Sequence, residues 1–195
     1  MALSSHPFFL GSAARWGQYP DHSFGEIAIA GRSNAGKSSL VNALLISKVA
    51  KVSASPGKTR LINFYRLKDQ YVIVDLPGYG FAKGSSKEIA GWKKMIEEYL
   101  SKRESLVAFV LVMDVRRKWT DQEDQLFQFC KHLDLKFGVV QTKIDKLGKV
   151  ERAKQLRALR QESSVENIWQ VSTKSGENML AFKKEVYQNW IKGSQ

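Results

Sequence analysis

Two rhythms of apolar and polar positions alternate along the chain. One is a short run of consecutive or every-second apolar residues; the other spaces apolar residues three and four apart. Glu26–Ala30 reads as a short buried strand, followed by a helix from about Lys37 to Leu45. Leu61–Leu67 and Tyr71–Asp75 read as two strands joined by a tight turn at Lys68–Gln70. Leu106–Asp114 and Phe137–Thr142 are continuous apolar runs, which suits strands covered on both faces. Thr120 and Glu123 have the spacing of a capping box that opens a helix to about Leu133. Val150–Gln161 and Glu177–Lys192 predict two further helices, and Ile168–Val171 a last strand. This alternation is that of an α/β domain with a mainly parallel sheet. The first 23 residues carry no clear period, although Phe8, Phe9, Trp16 and Tyr19 imply that they pack against the rest.

At 195 residues with 43% hydrophobic residues, the chain has material for one domain with a core of its own. Its single cysteine, Cys130, forms no internal disulfide. Cys130 shares a helical stripe with Leu126, Phe129 and Leu133, so a buried helix position and a reducing, cytoplasmic compartment are expected. The longest apolar run, Leu106 to Met113, is far shorter than the ~20 residues a spanning helix needs, so no membrane partner is expected. The N-terminus has no basic segment of the kind that opens a secretory signal. Charge changes the picture more: 31 Lys and Arg against 19 Asp and Glu give +12, a field that favours polyanions such as RNA.

The strongest chemical signal is Gly31-Arg32-Ser33-Asn34-Ala35-Gly36-Lys37-Ser38, a match to G-x-x-x-x-G-K-[ST] between a strand and a helix. The glycines let backbone N–H groups converge on phosphate oxygens. Lys37 brings a charge to the β- and γ-phosphates, and Ser38 a hydroxyl ligand for Mg²⁺. Ser39 continues the helix whose N-terminus faces the same anion. Asp75-Leu76-Pro77-Gly78 ends an adjacent strand. Asp75 suits a water of the Mg²⁺ shell, and the Gly78 N–H suits the γ-phosphate. In Thr142-Lys143-Ile144-Asp145, the Asp145 carboxylate can accept from guanine N1–H and N2–H₂, which adenine lacks, while Lys143 lays its stem over the purine. Val171-Ser172-Thr173 ends the last strand near the base. Gly57-Lys58-Thr59-Arg60, with Leu61 after it, lies between the first helix and the second strand; there Thr59 offers Mg²⁺ a second hydroxyl when γ-phosphate is present. Lys37, Thr59 and Gly78 are thus the candidate catalytic groups, and Ser38, Thr59 and Asp75 (through water) the candidate metal ligands.

Taken in order, these elements resemble the bacterial EngB (YihA/YsxC) family of translation-factor-class GTPases. The runs from Gly31 to Leu40, from Pro56 to Arg60, from Asp75 to Gly80 and from Thr142 to Asp145 carry the resemblance. It covers roughly residue 24 onward as a G domain, with residues 1–23 as an extension packing on it. It implies a three-layer P-loop NTPase fold of the Ras-like kind, with one antiparallel strand in a mostly parallel sheet and helices on both faces. It also implies GTP and GDP as ligands, Mg²⁺ as cofactor, and a monomer acting on the large ribosomal subunit or its precursor, with effects on cell division and septation. Val171-Ser172-Thr173 departs from the usual Ser pair. In related GTPases an Asn at the position of Asn34 helps to coordinate K⁺. Tyr79 stands where Ras-like switches carry the Gln that orients the attacking water, so slow intrinsic hydrolysis is expected. Arg116-Arg117-Lys118 before Trp119, and Lys83, Lys87, Lys93 and Lys94 after the second switch, are candidate RNA contacts or solvated faces. A P-loop ATPase or kinase is disfavoured by Asp145. A basic RNA-binding module whose nucleotide site is mainly structural remains the alternative.

Overall fold

The computed structural model describes residues 7–45, 61–67, 71–79 and 86–194. Among these residues seven strands form one sheet: β1 (Phe8–Ala13), β2 (Glu26–Gly31), β3 (Ile62–Leu67), β4 (Tyr71–Asp75), β5 (Leu106–Asp114), β6 (Lys136–Thr142) and β7 (Asn167–Gln170). Their order is β1-β3-β4-β2-β5-β6-β7. Only β3 runs against the others: it pairs antiparallel with β1 and β4, and the remaining pairings are parallel. Among the described residues, five α-helices pack on the sheet: α1 (Lys37–Leu45), α2 (Ser86–Lys102), α3 (Asp121–His132), α4 (Lys149–Ser163) and α5 (Met179–Glu185). The expected mostly parallel sheet with a single antiparallel strand and helices on both faces is what the chain forms.

Side-chain alternation divides the core in two. On β2, Ile27 and Ile29 face one side with Leu40, Val41 and Leu44 of α1 and Phe182 of α5. Ala28 and Ala30 face the other side with Ile96, Tyr99 and Leu100 of α2, Cys130 of α3 and Leu159 of α4. Continuous apolar strands are required because both faces of β2, β4, β5 and β6 are covered. Cys130 lies in this core, where burial pushes its thiol up to about 12 and keeps it protonated.

Two departures from the sequence pattern have physical causes. Phe8–Ala13, which shows no period, is the edge strand β1. An irregularity at Phe9/Gly11 shifts its register, and Phe8 and Phe9 are exposed, so no clean alternation exists to be read. The single helix expected over Glu177–Lys192 divides instead into α5, a wider π turn over Val186–Ile191 and a 3₁₀ turn over Lys192–Ser194. The extra residue in the wide turn lets Val186, Trp190 and Ile191 all reach the core. The turn expected at Lys68–Gln70 lies outside the described residues.

Strand order reverses around β2. The chain leaves β2 toward β3 and β4 on one side and later returns to β5, β6 and β7 on the other. A crevice at such a reversal, at the carboxyl ends of the strands, is where open α/β sheets bind ligands. The ends of β2, β4, β5 and β6 converge there.

Candidate functional site

The P-loop leaves β2 at Gly31. A Cβ on Gly31 would lie 2.6 Å from the Val112 carbonyl oxygen of β5, so only glycine fits. Asn34 (φ 65°) and Gly36 (φ 90°) take left-handed conformations, and the Ala35 N–H donates to the Arg32 carbonyl across a tight turn. Alternating handedness of this kind turns successive N–H groups into an anion-binding nest. Helix α1 begins immediately after, so its first N–H groups, without partners inside the helix, add to the same nest. Ser38 and Ser39 lie half-buried in that first turn.

Lys37 reaches from α1 to Asp75 at the end of β4, forming an ion pair that is almost completely buried. Burial raises the Asp75 carboxyl above its ordinary range, and Lys37 opposes this. Phosphate offers Lys37 an equivalent charge-assisted partner. Asp75 would then face a hydrated cation, the role its oxygen chemistry suits. After Asp75 the chain stays close to the sheet. The Leu76 N–H donates to the Ile29 carbonyl (3.0 Å), and Pro77 is buried with its carbonyl accepting from the Trp92 indole N–H of α2 (2.9 Å). Gly78 passes so near the P-loop that a Cβ would lie 3.2 Å from the Gly31 carbonyl. Pairing continues through Tyr79, whose N–H donates to Gly31 O (3.3 Å) and whose carbonyl accepts from the Ser33 N–H (3.3 Å).

The Tyr79 side chain turns away from the P-loop nest. It is 7% exposed, and its phenol donates to Glu123 Oε1 at the start of α3 (2.9 Å). Burial and the neighbouring carboxylate push the phenol far above its usual range, so it stays protonated. Arg32 closes this knot: Nε lies 2.9 Å from Glu123, and Nη2 donates to Thr120 (3.1 Å) and Gln122 (2.8 Å). Glu123 thus serves both as the acidic member of the capping box and as the anchor of the P-loop and of the segment after Gly78. The sequence signalled only the capping box.

The other side of the crevice is built from β6 and β7. The Thr142 hydroxyl donates to the Ala35 carbonyl (2.5 Å) and lies 3.1 Å from the Met113 carbonyl, tying the end of β6 to the P-loop and β5. Lys143 takes a left-handed conformation (φ 60°) and stretches across to the P-loop, where it donates to the Asn34 carbonyl (2.6 Å) and pairs with Asp114 (3.1 Å). Ile144 is buried and anchors the turn. Asp145 accepts from the Ser172 hydroxyl (2.7 Å), which holds its carboxyl below the ordinary range. Val171 and Ser172 are fully buried, and Thr173 follows at the half-buried rim. Leu61 is 40% exposed at the start of β3. Gly57, Lys58, Thr59 and Arg60 lie outside the described residues, as do Lys83 and Gly80.

Asp114 was not singled out by sequence reasoning. Burial pushes its carboxyl up, but hydrogen bonds from Arg116 and Lys143 outweigh this and hold it well below the usual carboxylate range. The available signal was a charged residue ending an otherwise apolar central strand, at the carboxyl end where ligands gather. Trp119 is half-buried, edge-on to Phe127, with its indole N–H directed at Asp124. It packs against the core and anchors its connection.

The arrangement therefore joins a nest of backbone N–H groups, a lysine–aspartate pair beside it, and a carboxylate held by a serine past the ends of β6 and β7. A family model for 50S ribosome-binding GTPases matches residues 26–143. A probable GTP-binding protein EngB of Bdellovibrio bacteriovorus is 45% identical over 94% of this chain and 92% of its own length. One from Bacillus cereus is 41% identical over 90% of this chain and 85% of its own. Among solved structures, a probable GTP-binding protein engB superposes with a TM-score of 0.71 at 26% identity, covering 84% of this chain and 97% of that one. Era in complex with MgGDPNP and nucleotides 1506–1542 of 16S ribosomal RNA gives 0.66 at 25% identity, over 86% of this chain and 57% of that one.

Proposed function

The chain belongs to the EngB family of GTP-binding GTPases, and from that premise we propose that it is a slow, Mg²⁺-dependent switch acting in assembly of the large ribosomal subunit. The observation that carries the switch is the route of the Asp75–Tyr79 segment. It runs from the buried Lys37 partner, along the P-loop, to Trp92 of α2 and Glu123 of α3. A ligand that draws Lys37 from Asp75 and engages Gly78 acts on this segment, and both neighbouring helices then respond.

In this reading the P-loop N–H groups, Lys37 and Ser38 hold the phosphates. Ser38, Thr59 and, through water, Asp75 hold Mg²⁺, which neutralises charge on the phosphate oxygens when bound. Asp145, held by Ser172, reads guanine, while Lys143 and Thr142 keep that loop against the P-loop. Intrinsic hydrolysis is slow because the side chain after Gly78 is a phenol fixed on Glu123, so it is not available to orient water. Stimulation comes from the ribosomal particle, or from K⁺ beside the exposed Asn34. The family description and the rRNA complex of Era support a ribosomal target, as does the +12 charge. Action as a cytoplasmic monomer, with consequences for cell division and septation, completes the proposal.

The test is sedimentation with large ribosomal subunits in GDP, in a non-hydrolysable GTP analogue and without nucleotide, at fixed salt. Tighter binding with the analogue is expected, by the ~5–150-fold typical of linked sites. Equal binding in all three states removes the switch and leaves a basic RNA-binding GTPase.

A further inference from the structure

Beside the P-loop, on the side away from α1, a cleft of about 350 Å³ opens between Arg32–Ala35 and the connection that follows β5. Its volume falls at the small end of ligand-binding clefts. Its walls carry Arg32, Arg116, Arg117, Lys118 and Lys143 against two acids, Asp114 and Glu123. The acids are committed: Asp114 to Arg116 and Lys143, and Glu123 to Arg32 and Tyr79. Arg117 and Lys118 are exposed, and neither is paired with a carboxylate among the described residues. A concave wall that keeps excess positive charge after its own ion pairs are formed is suited to a phosphate.

We infer that this cleft binds a backbone phosphate of single-stranded RNA, held by Arg117 and Lys118 next to the nucleotide site. The proposal rests on the ribosomal reading above and locates the RNA within it. Contact is to phosphate rather than to base, because Tyr79, the aromatic residue that lines the cleft, is 7% exposed with its phenol held by Glu123, and Trp119 of the neighbouring connection packs against Phe127. The cleft also has a physical link to the nucleotide. Arg116 grips Asp114 in a bidentate pair, Nε and Nη2 each donating to one carboxylate oxygen (2.8 and 2.7 Å), Asp114 holds Lys143, and Lys143 donates to the P-loop at Asn34. A phosphate entering the cleft adds negative charge within this chain of contacts, so RNA and nucleotide sense one another through Lys143.

The experiment uses the full chain, bound to GDP, and a fluorescein-labelled, non-pairing oligoribonucleotide, with binding followed by anisotropy across a salt series. The Arg117→Ala/Lys118→Ala double variant is compared with Lys154→Ala/Arg157→Ala, which removes the same charge from exposed positions of α4. The cleft variant should bind at least about tenfold more weakly, with a log–log salt slope shallower by ~0.7, the change for the one lost phosphate contact. GDP affinity should be unchanged in both variants, which also shows that both are folded. Equal losses in the two variants overturn the inference, since RNA then responds to diffuse charge. An unchanged slope in the cleft variant overturns it as well. So does displacement of the RNA by a polyglutamate peptide at equal charge concentration, which would make the cleft a site for an acidic protein segment. If the oligonucleotide binds through the cleft while ribosomal subunits sediment without the protein in every nucleotide state, the switch fails and the cleft stands. If subunit binding is nucleotide-dependent but identical in the cleft variant, the cleft fails and the switch stands.

Discussion

At the scale of single residues, polar atoms at the crevice are held in place by neighbours from other strands. Asp145 is the clearest case: Ser172, 27 positions later, donates to one of its oxygens. A carboxylate so oriented is acceptor-only and matches the two donors on the guanine edge. Asp145→Asn should therefore lower GTP affinity by at least about tenfold and raise XTP affinity, because the amide donates to the carbonyl that xanthine carries. Competition with a fluorescent nucleotide measures both, and a variant that still prefers GTP over XTP would remove Asp145 from base reading. Tyr79 gives the converse expectation. Its phenol is occupied by Glu123, which also retains Arg32, so Tyr79→Phe should cost only ~0.5–1.5 kcal/mol of stability. GTP turnover should stay within about twofold; a hundredfold loss in a folded variant, ~2.7 kcal/mol of barrier, would make the phenol a catalytic group.

At the scale of elements, the fit between β6 and the C-terminal segment is the most exacting. A Cβ on Gly138 would lie 2.5 Å from the Trp169 ring and 2.7 Å from the Trp190 ring. These two indoles meet edge to face, with centroids 5.1 Å apart, and neither can withdraw without disturbing Phe182 or the wide turn that carries Trp190. Gly138→Ala should then cost about 1–3 kcal/mol as overpacking. For a domain of this size the midpoint of thermal unfolding should fall by roughly 2–12 °C, and calorimetry would register it. An unchanged midpoint would show that the indoles have room to move.

At the scale of the molecule, the end of the sheet opposite the nucleotide crevice is closed by one buried carboxylate. Glu26 opens β2 with no exposure. It lies 2.9 Å from His22, accepts from Tyr99 of α2 (2.5 Å), and accepts from Arg103 Nε (2.7 Å), while Arg103 also donates to the Pro20 carbonyl (2.8 Å). This knot binds the segment after β1, the first central strand and the end of α2 into one unit. Burial pushes the Glu26 carboxyl up, but the hydrogen bonds from His22, Arg103 and Tyr99 outweigh it and leave the carboxyl below its ordinary value. A carboxyl lowered in the folded state contributes stability that is present above the unfolded value of about 4.3 and is lost as pH falls through the folded value. The stability difference between the wild-type chain and Glu26→Gln should thus be full at pH 7 and shrink below about pH 4. Denaturant titrations at a series of pH values test this, and a gap that widens in acid would reverse the sign. Arg103→Ala, which leaves the carboxylate buried and short of its main partner, should cost roughly 3–5 kcal/mol at neutral pH.

The sequence by itself determined the α/β order, the P-loop and the strand-end position of Asp75 and Asp145. These depend on local requirements: glycine where backbone must bend left-handed or approach closely, apolar runs where both faces are covered, and short polar motifs directly after strands. The capping box at Thr120 and Glu123 was legible for the same reason, since its spacing is fixed within one helical turn. Only the tertiary structure decided what lies far apart in the chain. It placed Phe8–Ala13 at the sheet edge, where exposed positions and a register shift erase any period. It broke the helix expected over Glu177–Lys192 so that Trp190 could pack over Gly138. It gave Glu123 its second duty and brought Asp114 to Lys143, pairings that span 44 and 29 positions. Hydrogen-bond and charge partners at such separations are chosen by how the strands and helices pack, and that packing leaves no spacing in the sequence to be read.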